Sequence, residues 1–103
     1  MWVISIKLDF KTNAALGPCL ETLKKAIEMN PNDVGPYPNI GLCYQRLKKY
    51  DSAIYYLYKG IAVNPGYNAS YENLAFTFKA MGKTDSAKKY EAVARAKNPA
   101  FML

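Results

Sequence analysis

Cys19 and Cys43 are the side chains best suited by type to nucleophilic or metal chemistry, and neither has a companion for it in the sequence. A thiol becomes a strong nucleophile when a base or cation lowers its pKa. The commonest such base, histidine, is absent. The same absence removes the commonest metal ligand, and two cysteines without ligand spacing do not replace it. The eight Asp and Glu are dispersed, no Gly-rich phosphate loop is present, and no Ser or Thr stands beside a base. Tyr55, Tyr56 and Tyr58 form a dense aromatic cluster, which helical packing explains at Tyr58. The expectation is a chain without catalytic residues, metal or cofactor. Both cysteines sit among apolar helix positions and read as buried free thiols.

A different chemistry is visible in amides and cations. Asn39, Leu42 and Arg46 fall at i, i+3 and i+7, one face of a helix. Asn73, Phe76 and Ala80 repeat the pattern, with Lys79 alongside. A primary amide both donates and accepts hydrogen bonds, so asparagines in register suit the holding of a peptide backbone. Leu42 and Phe76 would add an apolar floor, and Arg46 and Lys79 a positive rim.

The elements that position these residues follow from one interval. Asn30-Pro31, Asn64-Pro65 and Asn98-Pro99 recur every 34 residues, a period typical of stacked structural repeats. In that register Tyr37 meets Tyr71, Ile40 meets Leu74, Gly41 meets Ala75, Tyr44 meets Phe78, and Ala53 meets Ala87. Tyr37, Ile40, Gly41 and Tyr44 share one helix face, and Ala53, Leu57, Gly60 and Ile61 share a second. Small residues at Gly41, Ala53 and Gly60 let the two helices approach closely. Asp51 and Asp85 are expected as N-caps, and Pro65 and Pro99 lie where the second helices stop. The prolines of Gly35-Pro36-Tyr37-Pro38 fall in a first turn, where a missing N–H costs nothing. That helix should begin near Pro36, with a tight or irregular first turn.

The middle copy, Tyr37-x2-Ile40-Gly41-x2-Tyr44 with Ala53-x3-Leu57 and Pro65, resembles the tetratricopeptide repeat. The third copy follows it as Tyr71-x2-Leu74-Ala75-x2-Phe78 with Ala87 and Pro99, departing at Glu91, where Tyr90 can supply the packing. The resemblance implies an all-α fold of stacked antiparallel helix hairpins, about six helices in a right-handed superhelix. It also implies a non-enzymatic protein-interaction module whose first helices line a concave peptide groove. Asn39, Leu42, Arg46, Asn73, Phe76 and Lys79 are the positions that would line it. Ala69 and Asn73 stand where a carboxylate-clamp array carries lysine and arginine, so that subtype is not expected.

The expected organisation is one domain. A degenerate first repeat covers residues 1–33, a second 34–67, and a third 68–99 with a capping final helix, followed by the tail 100–103. In the first copy Val3, Ile6, Lys7 and Phe10 take the first-helix places, although Trp2, Ile4, Ile6, Leu8 and Phe10 also alternate as a strand would. Gly17-Pro18 reads as the cap and first residue of the second helix. Trp2, Ile4, Ile6 and Leu8 leave an uncovered apolar segment, expected as an oligomer or partner interface. At the other end Lys88, Ala92 and Arg95 replace the apolar Ile54, Tyr58 and Ile61, as a capping helix requires. Phe101-Met102-Leu103 is a short apolar tail that either folds back or makes a contact.

The net charge is +6, spread as pairs between acids. It fits solvated helix faces or an acidic protein partner better than a nucleic-acid footprint. No apolar run approaches the ~20 residues of a membrane span, and no signal peptide is recognisable, so a cytoplasmic location is expected.

Overall fold

The computed structural model describes residues 16–103 as five α-helices. These are α1 (Leu16–Met29), α2 (Pro36–Arg46), α3 (Tyr50–Val63), α4 (Asn68–Ala80) and α5 (Thr84–Lys97). Trp2, Ile4, Ile6 and Leu8 lie outside the described residues, as does the sixth expected helix. The 34-residue period is kept in three dimensions: α1, α3 and α5 each have 14 residues and start one period apart. Each helix packs on its sequence neighbour, and α2 also packs beside α4. The described residues form an all-α stack of helix hairpins.

Close packing explains the register. Ile40, Ala53, Leu57, Leu74, Ala75 and Ala94 are fully buried. Gly41 is small because α3 presses on it: a Cβ there would lie 2.6 Å from Leu57 Cγ. One period along, Ala75 takes the place of Gly41 and packs in a buried cluster with Ala94 and Phe101. Tyr90 stacks on Phe78 with centroids 5.6 Å apart and packs on the Leu57, Leu74, Phe78 and Ala87 cluster.

The recurring Asn-Pro has a local cause. Asn30 Oδ1 accepts the N–H of Asn32 at 3.3 Å, and Asn64 Oδ1 accepts that of Gly66 at 3.0 Å. These Asx-type turns follow α1 and α3. The proline carbonyl is then used by the next repeat: Tyr37 Oη donates to Pro31 O at 3.0 Å, and Tyr71 Oη to Pro65 O at 2.7 Å. Helix end, turn and following tyrosine are therefore one hydrogen-bonded unit, copied with the period.

Several local expectations change. The N-cap positions of α3 and α5 are Lys49 and Lys83, without side-chain cap bonds; Asp51 and Asp85 lie inside the first turns. There their charge acts on the positive end of the helix dipole rather than on one orphan N–H. Gly17 and Pro18 fall within α1, which starts at Leu16. Helix α2 does begin at Pro36, with Pro38 also in its first turn. Cys19 is exposed and Cys43 half-buried, so neither is the buried thiol its apolar neighbours suggest.

The C-terminal tail folds back. Phe101 is buried against Ala75 and Ala94, and Leu103 packs on both core clusters. The outer residues of α5, Lys88, Ala92 and Arg95, are all exposed.

Candidate functional site: the face of the first helices

Asn39 and Leu42 project from the middle of α2 into one open groove of about 480 Å3, completed by Cys19, Thr22 and Leu23 of α1 and Cys43 of α2. Asn39 is exposed and Leu42 half-buried. Arg46 is exposed in the last turn of α2. Burial raises the Cys43 pKa above its ordinary value, and Cys19 adds to the rise; Arg46 opposes it. The two thiols and the guanidinium thus lie within electrostatic reach of one another at this groove.

The equivalent residues of α4 have different surroundings. Asn73 is half-buried, and its Nδ2 donates to the Pro38 carbonyl of α2 at 2.9 Å. A carbonyl oxygen has two lone pairs, so Pro38 O in the first turn of α2 can accept the Asn73 amide as well as a backbone N–H. Asn73 therefore ties neighbouring first helices together. Thr77 Oγ1 donates to Asn73 O at 2.8 Å and is nearly fully buried. Phe76 remains 39% exposed and meets Phe101 edge-on, with centroids 5.3 Å apart. Lys79 is exposed beside a second cavity of about 300 Å3, lined also by Thr84, Ala87, Lys88, Glu91 and Leu103. Of the six sequence-derived positions, only Asn39 and Leu42 share a cavity.

Two features were not anticipated from sequence. The groove gains Cys19, Thr22, Leu23 and Cys43, two of them the cysteines read from sequence as buried thiols. A tyrosine–lysine cluster also forms across α1, α2 and α3. Tyr44 stacks on Tyr56 at 5.7 Å, Tyr55 meets Tyr56 edge-on at 5.3 Å, and Lys24 and Lys59 lie over these rings. Apart from such ring contacts, Tyr58 Oη and Tyr90 Oη share a hydrogen bond of 3.0 Å. Burial, then that bond, pushes the Tyr58 pKa up to about 12. Among the described residues no group of three or more His, Cys, Asp or Glu could hold a metal ion. No described helix is long and apolar enough to cross a membrane.

Residues 22–55 match the family model described as tetratricopeptide repeat, a stretch running from α1 through α2 into α3. No curated protein matches the chain. Solved structures do, among them a crystal structure of MamA protein, with a TM-score of 0.74 and 25% identity over 92% of this chain. That alignment takes in 54% of the MamA chain, so the chain here spans about half its length. The fold is of the tetratricopeptide-repeat type.

Proposed function

We propose that the chain binds a peptide or helical segment of an acidic partner protein on the face of α2 and α4, using Asn39, Leu42, Arg46, Phe76 and Lys79. The observation that carries this reading is the groove at Asn39 and Leu42, apolar in its floor and open to solvent, with Arg46 one turn further along the same helix. An apolar floor supplies binding energy, while a few polar groups fix the orientation of what binds. The side-by-side packing of α2 and α4 supports a continuous surface from Asn39 to Lys79. Asn73 enters as a positioning residue, since its amide is engaged with Pro38 O. An overall charge of +6 favours an acidic partner and speeds its encounter.

Selection of a displayed random-peptide library against the intact chain tests the proposal. The expected outcome is a family of binders with carboxylates flanking apolar residues. Binders that compete with nothing on this face, or that carry no acidic preference, contradict it.

A further inference from the structure

One contact between the second helices departs from the repeat. Tyr90 of α5 stacks on Phe78 at 5.6 Å, as Tyr56 of α3 stacks on Tyr44 at 5.7 Å, and the two ring pairs are copies one period apart. The third member of each group differs. Lys24 of α1 lies over the first pair, 5.3 Å from the Tyr44 centroid and 6.0 Å from that of Tyr56. One period on, Tyr58 takes the place of Lys24, and its Oη shares a hydrogen bond of 3.0 Å with Tyr90 Oη. Since a lysine serves the same place one period earlier, packing of the repeat does not require a tyrosine there.

We propose that Tyr58 and Tyr90 form an oxidative cross-linking site, where hydrogen peroxide and a peroxidase-type one-electron oxidant join the two rings by a carbon–carbon bond. Each phenol gives up one electron and one proton, and the two phenoxyl radicals couple at ring carbons ortho to their oxygens. The hydrogen on each coupling carbon then moves to its oxygen and restores two phenols. One peroxide takes up the two electrons and two protons and leaves as two waters.

The geometry selects this pair from the other tyrosines. Among the described residues it is the pair whose hydroxyls are hydrogen-bonded to each other. The ortho carbons adjoin the carbons that carry those oxygens, so the bond brings the reactive edges together. Tyr44 and Tyr56 instead lie face to face, with ring planes 18° apart. Tyr55 and Tyr56 are chain neighbours on one helix, and a link there would fasten no second element. Tyr58 is 44% exposed and its bond to Tyr90 is open to solvent, so an oxidant can reach it. Tyr90 is anchored on the Leu57, Leu74, Phe78 and Ala87 cluster. Two reacting groups already held in contact couple as a unimolecular step, ahead of coupling between chains. The product fastens α3 to α5 and leaves the face of α2 and α4 open.

Treatment of the dilute intact chain with a haem peroxidase and hydrogen peroxide tests the assignment. The monomer is isolated and its disulfides are reduced before mass spectrometry, so that only the carbon–carbon link counts. The expected product lacks two hydrogen atoms, and tryptic digestion joins residues 50–59 to residues 90–95, with fragmentation placing the bond at Tyr58 and Tyr90. The linked monomer should unfold at a higher urea midpoint, because a cross-link between distant residues restricts the unfolded chain. Tyr58→Phe should lower the yield of linked monomer about tenfold or more, the loss expected when a preformed contact is removed. Tyr55→Phe should leave the yield unchanged. Absence of a linked monomer, a link between residues 50–59 and 90–95 that survives Tyr58→Phe, or a link formed only between chains overturns the proposal.

Discussion

Lys48 and Gly82 stand one period apart in the same left-handed turn, with φ of 62° and 79°. Each closes a Schellman motif: Lys49 N–H donates to Tyr44 O and Lys83 N–H to Phe78 O, both at 2.9 Å. An L-residue in this conformation carries a steric cost that glycine avoids. Lys48→Gly should therefore raise stability by about 0.5–1 kcal/mol after allowing for the greater freedom of the unfolded chain, read as a higher urea midpoint with unchanged slope. The sequence did not announce this turn, because a lysine hides what the glycine one period later declares.

Tyr58 links the same scale to pH. Its folded pKa of about 12 lies above the ordinary 10.0, so the neutral phenol is favoured by folding. The stability it contributes is complete below about pH 10 and is lost as pH rises through about 12. An alkaline titration followed by phenolate absorbance and helical circular dichroism should show late ionisation coupled to weakening of the α3–α5 contact. In Tyr58→Phe the coupled late step should disappear; its persistence would assign it to another tyrosine.

At the scale of the elements, the contact of α2 with α3 is set by a single missing methyl group. Gly41→Ala places a Cβ against the fully buried Leu57, whose branch point cannot swing away into solvent. The expected loss is about 1–3 kcal/mol by chemical denaturation. Ala75→Gly, which adds no atom to the buried cluster of Ala75, Ala94 and Phe101, should cost about 1 kcal/mol, mostly from helix propensity. Equal effects at the two sites would contradict the packing account. Much of this was legible beforehand, since residue size at 41, 53 and 60 states how closely helices can pass. Helix starts were less legible: the aspartates at 51 and 85 suit a cap by type, but the chain turns at Lys49 and Lys83 instead. A lysine at the N-cap gives no compositional signal.

For the whole molecule, the constant interval of Asn-Pro disclosed the stack, because its turn and the following tyrosine form one copied unit. The candidate site was only half legible for the same reason. Periodicity assigns equivalent places to Asn39 and Asn73, yet the amide of Asn73 is held by the helix before it, while Asn39 is exposed. Phe76 likewise differs from Leu42 because Phe101 folds onto it. Position within the stack, rather than residue type, separates these pairs.

Calorimetric titration of a library-selected peptide into the parent chain and into the triple variant Asn39→Ala, Arg46→Ala, Lys79→Ala tests the binding face most directly. The three positions are exposed, so the melting temperature should hold while affinity falls about tenfold or more, roughly 1.4 kcal/mol. The pair Tyr55→Ala and Lys59→Ala, on the tyrosine–lysine cluster, should leave affinity unchanged. Undiminished binding by the triple variant, with loss in the Tyr55 and Lys59 pair, would place recognition on the tyrosine–lysine cluster and contradict the account.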